Sequence, residues 1–129
     1  MAAFDYRPLR ENEIRVLKPT SARNLEYRLV HVSPGSKLSY SALSYTWGDN
    51  ICPYPIRLDG GDFWITQNLR DALHQLQQDR KADYLWVDAI CINQIDLREK
   101  SVQVKMMTRI YESAHKVFVW LGKPENEEQ

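Results

Sequence analysis

Cysteine and histidine are scarce in these 129 residues, and that scarcity narrows the chemistry first. Cys52 and Cys91 are the two cysteines. They lack CxxC spacing, so neither a disulfide framework nor a zinc site is expected, and a reduced, intracellular setting follows. His31, His74 and His115 are scattered without HExxH or similar spacing, so no metal site is expected. An excess of either charge is also missing. Lys+Arg and Asp+Glu stand at 17 each, which leaves no basic footprint for nucleic acid. No run approaches the roughly 18 apolar residues of a membrane span. Residues 1–12, MAAFDYRPLREN, carry charges and no apolar core segment, so they do not read as a secretory signal. GxGxxG, GxxxxGKS/T and GxSxG do not occur, which removes the commonest nucleotide-binding and hydrolase motifs.

What is present is enough for one packed domain: apolar residues are 43% of the chain. The most informative stretch runs from Tyr84 to Gly122, YLWVDAICINQIDLREKSVQVKMMTRIYESAHKVFVWLG. Two short apolar runs, 85–87 and 117–121, flank a helical segment. Neither run alternates, so both read as strands buried on both faces, as central parallel strands are. Residues 40–46 form another apolar, β-branched run, stopped by Gly48-Asp49-Asn50. If all three strands are parallel, the connections are right-handed crossovers and the carboxyl ends share one edge. TWGDN, DAICINQ and LGK would then meet there, on the rim where open α/β sheets bind ligands.

The rest of the chain is read by period and punctuation. Residues 13–17 are a weak strand candidate, and 25–32 alternate like a half-exposed strand, with the turn-like KPTSARN between them. Residues 55–58 and 63–66 flank Asp59-Gly60-Gly61-Asp62, a hairpin signature. Leu69, Ala72, Leu73 and Leu76 recur at i, i+3, i+4 and i+7 and predict a helix over 67–79, capped by Thr66 or Asn68. A second helix is expected from Asp96, with Val104, Met107, Ile110, Tyr111 and Ala114 as its inward stripe. Projected at roughly 100° per residue, Asp96, Lys100 and Gln103 continue that stripe. This end of the helix either emerges into solvent or lines a polar pocket beside Asp88 and Asn93. The tail, KPENEEQ, is polar and expected to fray.

Each candidate residue also has a purely structural reading. Asp96 and Glu99 fit a capping box, so Glu99 is either a cap or a site residue. Asp88 either holds the following loop through backbone N–H groups or faces a ligand. Asn93 and Gln94 are plausible turn residues. Trp47, Trp64, Trp86 and Trp120 fit core or rim packing better than a stacking platform. Cys91, among apolar neighbours, reads as a small buried hydrophobe.

Three blocks then carry a family resemblance: YSALSYTWGD (40–49), ITQNLRDALHQL (65–76) and LWVDAICINQIDLREKSVQVKMMTRIYESAHKVFVWLG (85–122). In that order they resemble the fungal heterokaryon-incompatibility (HET) domain over about residues 40–122. Residues 1–39 are then an N-terminal β lead-in and 123–129 a polar tail. The resemblance implies a fungal, cytoplasmic protein of self/non-self recognition and programmed cell death, usually as one module of a larger protein. The HET pattern is in turn similar to TIR domains. That likeness implies a TIR/flavodoxin-like α/β fold: a parallel sheet core with flanking helices, here with an N-terminal antiparallel β addition. It also places strand 40–46 between the other two.

Some TIR domains cleave NAD at the glycosidic bond, so NAD is the substrate this likeness suggests, with no firmly expected cofactor. Ser44, Trp47, Gly48, Asp49, Asp88, Asn93 and Glu99 are the ligand-binding candidates on that view. The catalytic Glu of that pattern sits in a Trp-containing third block, and the chain stops seven residues after Gly122 without one. No catalytic residue is therefore assigned within these 129 residues. A truncated chain would leave the face and edge of strand 117–121 uncovered, which favours self-association or a protein partner.

Overall fold

The computed structural model describes residues 3–48, 51–79 and 83–122. The expected frayed tail, and Asp49 and Asn50 of the expected strand stop, lie outside them. The elements are β1 (Ile14–Pro19), β2 (Glu26–Val32), β3 (Ser41–Tyr45), β4 (Tyr54–Leu58), β5 (Gly61–Ile65), α1 (Gln67–Asp79), β6 (Leu85–Trp86), α2 (Asp88–Cys91), α3 (Leu97–Ser113) and β7 (Val117–Trp120). The fold is mixed α/β. Its strands form one sheet in the order β5-β4-β2-β1-β6-β3-β7.

The parallel core is β6-β3-β7, with β3 between its two neighbours, as expected. β1 and β2 pair antiparallel from Ile14↔Val32 to Pro19↔Tyr27. β1 also pairs antiparallel with β6 through Leu17↔Leu85, so this N-terminal hairpin is spliced into the sheet rather than hung on its margin. β4 joins β2 in parallel and carries β5 on its outer side.

The β4–β5 hairpin turns at Asp59 and Gly60, with φ of 50° and 81°. A two-residue hairpin loop with positive φ at both positions matches the right-handed twist of its strands, and the sequence D-G supplies it. The other outer side of this hairpin is covered by the chain itself: Phe4 N–H donates to Asp62 O at 3.3 Å, and Ala3 bridges Asp62.

The core sits where β1, β3 and β6 cross the middle of the sheet. Ile14, Arg15, Val16 and Leu17 are all fully buried, so β1 is covered on both faces. Arg15 meets α3, through Glu99. Right-handed crossovers in opposite directions from β3 to β6 and from β6 to β7 place α1 on the other face. α1 spans the expected residues and buries Leu69, Ala72 and Leu73. Thr66 caps it, its Oγ1 accepting from Leu69 N–H at 3.2 Å.

Two expectations are corrected here. Strand β7 is not buried on both faces: Val117, Val119 and Leu121 are exposed, while Phe118 and Trp120 pack inward. It is an edge strand, and its covered side is the one that faces α1, where Trp120 meets Asn68. On α3, Val104 points to solvent and the buried residues are Gln103 and Ile110. The rest of the stripe holds, since Met107, Tyr111 and Ala114 pack on the core beside Ile110. Gln103 continues it inward as expected, its Nε2 donating to Glu13 O at 3.0 Å. Lys100 and Asp96 emerge into solvent.

Candidate functional site

The carboxyl ends of β3 and β6 bring the two expected blocks together. Trp47, two residues past β3, donates its indole N–H to Asp88 Oδ1 at 3.2 Å. Asp88 opens α2, a single four-residue turn that the periodicity does not reveal. Its carboxylate also accepts the Ala89 N–H, so the loop-holding role and a rim position are both real. Burial raises the Asp88 carboxyl above its usual range; the bonds from Trp47 and the backbone only partly offset that.

Around Asp88 the rim is built from β3 and α3. Ser44 hydrogen-bonds the Tyr111 hydroxyl, which burial and the nearby Asp88 charge both push up in pKa. Tyr45 is raised in the same sense, first by burial and then by Asp88. Behind them Trp86, fully buried, meets Tyr111 edge to face at 5.4 Å. Across β3, Asn68 of α1 links the third loop: its Nδ2 donates to Thr46 O at 2.7 Å and its Oδ1 accepts from Trp120 Nε1 at 2.9 Å. The three strand exits therefore share one rim. Beside it lies a cleft of 410 Å³ between Trp47, Gly48, Ile51 and the start of α1.

Ser44, Trp47, Gly48 and Asp88 are thus gathered at this rim; Asp49 lies outside the described residues. Asn93 and Glu99 belong to a different, structural cluster. Glu99 holds Arg15 through both oxygens, at 2.7 and 2.8 Å, and accepts the Asn93 N–H at 2.7 Å. Half of the capping box forms, since Asp96 Oδ1 accepts the Glu99 N–H at 3.1 Å. The reciprocal half does not, because the Glu99 carboxylate is turned inward to Arg15.

The structure adds Arg15, which sequence reasoning passed over. It is fully buried, donates to Cys91 O and Arg7 O at 3.1 and 2.8 Å, and lies 4.7 Å over the Tyr6 ring. The available signal was a cation inside the apolar run Ile14-Arg15-Val16-Leu17, which demands a buried anion somewhere. Cys91 is sealed, as expected, and burial pushes its thiol up to about 12, so it is no nucleophile.

Among the described residues no cluster of three metal-ligating side chains occurs, and no helix is long and apolar enough to cross a membrane. A larger cleft than the one beside Trp47 lies away from the Asp88 rim. It is a 590 Å³ cleft at the amino ends of β3 and β6, bordered by Tyr27, Ser41, Leu73, Leu76, Gln77 and Tyr84 among others.

The sequence model described as Heterokaryon incompatibility protein (HET) matches residues 40–129. Heterokaryon incompatibility protein 6, OR allele, of Neurospora crassa is 44% identical over 100 residues. That alignment covers 65% of this chain and 14% of the relative, so the chain spans only a small part of the relative's length. No solved structure matches. The chain belongs to the heterokaryon incompatibility (HET) family.

Proposed function

We propose that this chain is a cytoplasmic association module of fungal heterokaryon incompatibility and its cell-death response, and that it works by pairing through the free edge of β7. The supporting observation is that edge. β7 ends the sheet, carries VFVW with no proline or charge, and leaves Val117 at 45% and Val119 at 66% exposure. Natural sheets usually blunt such an edge with charge, proline, a bulge or a covering segment. Here the opposite edge, β5, has a covering segment and β7 has none among the described residues. A second copy is the natural occupant. An edge strand's donors and acceptors are self-complementary when two copies meet antiparallel, and a net charge of zero adds no repulsion. Light scattering after size exclusion tests this. The expected result is a dimer at tens of micromolar that Val119→Lys returns to monomer. A monomer at all concentrations would overturn it.

A second reading rests on the desolvated Asp88 beside Trp47. A rim carboxylate held above its usual pKa, next to a half-exposed indole and a cleft, suits a nucleotide-processing site of TIR type. Ser44, Trp47, Gly48 and Asp88 would then line the ligand, with NAD as substrate. A carboxylate against an oxocarbenium-like state would have to do the chemistry. Nicotinamide release from NAD, followed by chromatography, decides between the two readings. Turnover by this chain that is lost in Asp88→Asn supports the enzyme, with Asp88 in place of the Glu of the TIR pattern; no turnover overturns that reading for these 129 residues.

A further inference from the structure

The 590 Å³ cleft lies at the opposite end of the parallel strands from Asp88, and neither reading above uses it. It is made where three things diverge: the second half of α1, the start of β2, and the amino ends of β3 and β6. β1 runs antiparallel to β6, so its last residue, Pro19, arrives at the same place and closes one wall. Leu73 and Leu76 descend from α1, while Tyr27, Tyr40 and Tyr84 supply aromatic surface. The size is that of an ordinary small-molecule pocket.

Tyr27 makes this more than a surface dent. The residue is 94% removed from solvent, since only 6% of it is exposed, yet its hydroxyl has no hydrogen-bond partner among the described residues. Nor is that hydroxyl among the sealed, unsatisfied atoms of the interior, so it opens on the cleft it lines. Ser41, 5% exposed, is in the same position: its Oγ is unpaired among the described residues and borders the same space. Neighbouring polar groups behave differently. Tyr40 donates its hydroxyl to Ile110 O at 2.6 Å, and Gln77 Nε2 donates to Ser21 O and Asn24 O. A buried polar group without a partner is costly. Arg15 Nε, Trp86 Nε1 and Gln103 Oε1 also lack partners among the described residues, but they are sealed in the interior, whereas the Tyr27 and Ser41 hydroxyls can be reached from the cleft. Two hydroxyls left open on one cleft mark where an outside molecule supplies the partner.

The charge pattern narrows the class. Among the described residues that border the cleft there is no Lys or Arg, and the groups it offers a ligand are two neutral hydroxyls. Asp83 and His115 stand at the mouth and are exposed, too well solvated to hold a cation. Aromatic and leucine walls with two neutral hydroxyls fit a flat, uncharged ring bearing an amide-like edge. We propose that the cleft between α1 and the amino ends of β3 and β6 is a binding site for a small uncharged aromatic molecule, gripped at its polar edge by Tyr27 and Ser41.

Benzamide, indole and adenine, titrated in turn against the whole chain with labelled leucine methyls, test the proposal. At least one of them is expected to give saturable shifts at Leu73 and Leu76. Tyr27→Phe should weaken that binding about 3- to 10-fold, the loss of one neutral hydrogen bond. It should leave the melting temperature unchanged or higher, whereas Tyr40→Phe should lower it. Ala22→Trp, which fills the mouth from an exposed position, should abolish the shifts without unfolding the chain. No saturable shift from any of the three probes would overturn the assignment, as would binding that Tyr27→Phe and Ala22→Trp both leave intact.

Discussion

Arg15 and Glu99 show what one pair of residues does in this chain. The guanidinium is bidentate to the carboxylate and simultaneously holds Arg7 O and Cys91 O. Four segments are thereby fastened at one point: the N-terminal stretch, β1, the end of α2, and α3. Removing one partner of a buried pair strands the other charge, typically at a cost of 3–5 kcal/mol. Glu99→Gln is therefore expected to lower the unfolding free energy by about 3 kcal/mol in urea titration. Asp96→Ala, which removes only the cap, should cost about 1 kcal/mol. Asp88 works in the other direction. Its folded pKa is raised by burial, so the folded state holds the proton more tightly than the unfolded state does. The favourable contribution is present below the usual carboxylate pKa and is lost as pH rises through the folded value. Asp88→Asn should stabilise the protein at pH 7, with the gain fading in melts taken at progressively lower pH through the carboxylate range. The sequence revealed Asp88 and Trp47 as neighbours because both terminate strands. It did not reveal the partner of Glu99, because a partner 84 residues away leaves no local pattern.

At the scale of elements, periodicity was a good guide wherever apolar contacts alone decide the face. α1, with its i, i+3, i+4, i+7 leucines, forms over the expected residues. α2 is too short to have a period. α3 keeps its apolar stripe at Met107, Ile110, Tyr111 and Ala114 and loses it at Val104, near where Glu99 and Gln103 turn inward to partners. β7 looked like a central strand because its solvent side is as apolar as its buried one. The guarded edge at β5 depends on a missing side chain. A Cβ on Gly61 would lie 2.8 Å from Phe4 N and 3.0 Å from Ala3 C, both backbone atoms that cannot swing aside. Gly61→Ala is expected to push the N-terminal segment off β5. Hydrogen exchange at the Phe4 amide should then accelerate, with a stability loss of about 1–3 kcal/mol for the overpacking.

For the whole molecule, the family match begins at residue 40, but the sheet does not. β1 lies between β2 and β6 and is buried on both faces. A chain starting at Tyr40 would leave Leu85 and Trp86 on an open edge and Glu99 without its cation. It is expected to show no cooperative thermal transition by circular dichroism, unlike the full chain. The parallel order around β3 was legible because strand, helix and turn signals all agreed there. The splice of β1 into the centre was not, because Leu17↔Leu85 joins residues with no shared local motif.

The asymmetry of the two borders limits what pairing can build. A sheet open on both sides recruits copies indefinitely and becomes a filament. This one has its far border occupied by Ala3 and Phe4. Two copies joined across β7 about a two-fold axis would present outward two β5 borders, each blocked at Asp62, so growth would halt at a pair. Dislodging Ala3 and Phe4 would turn a closed dimer into a polymerising unit.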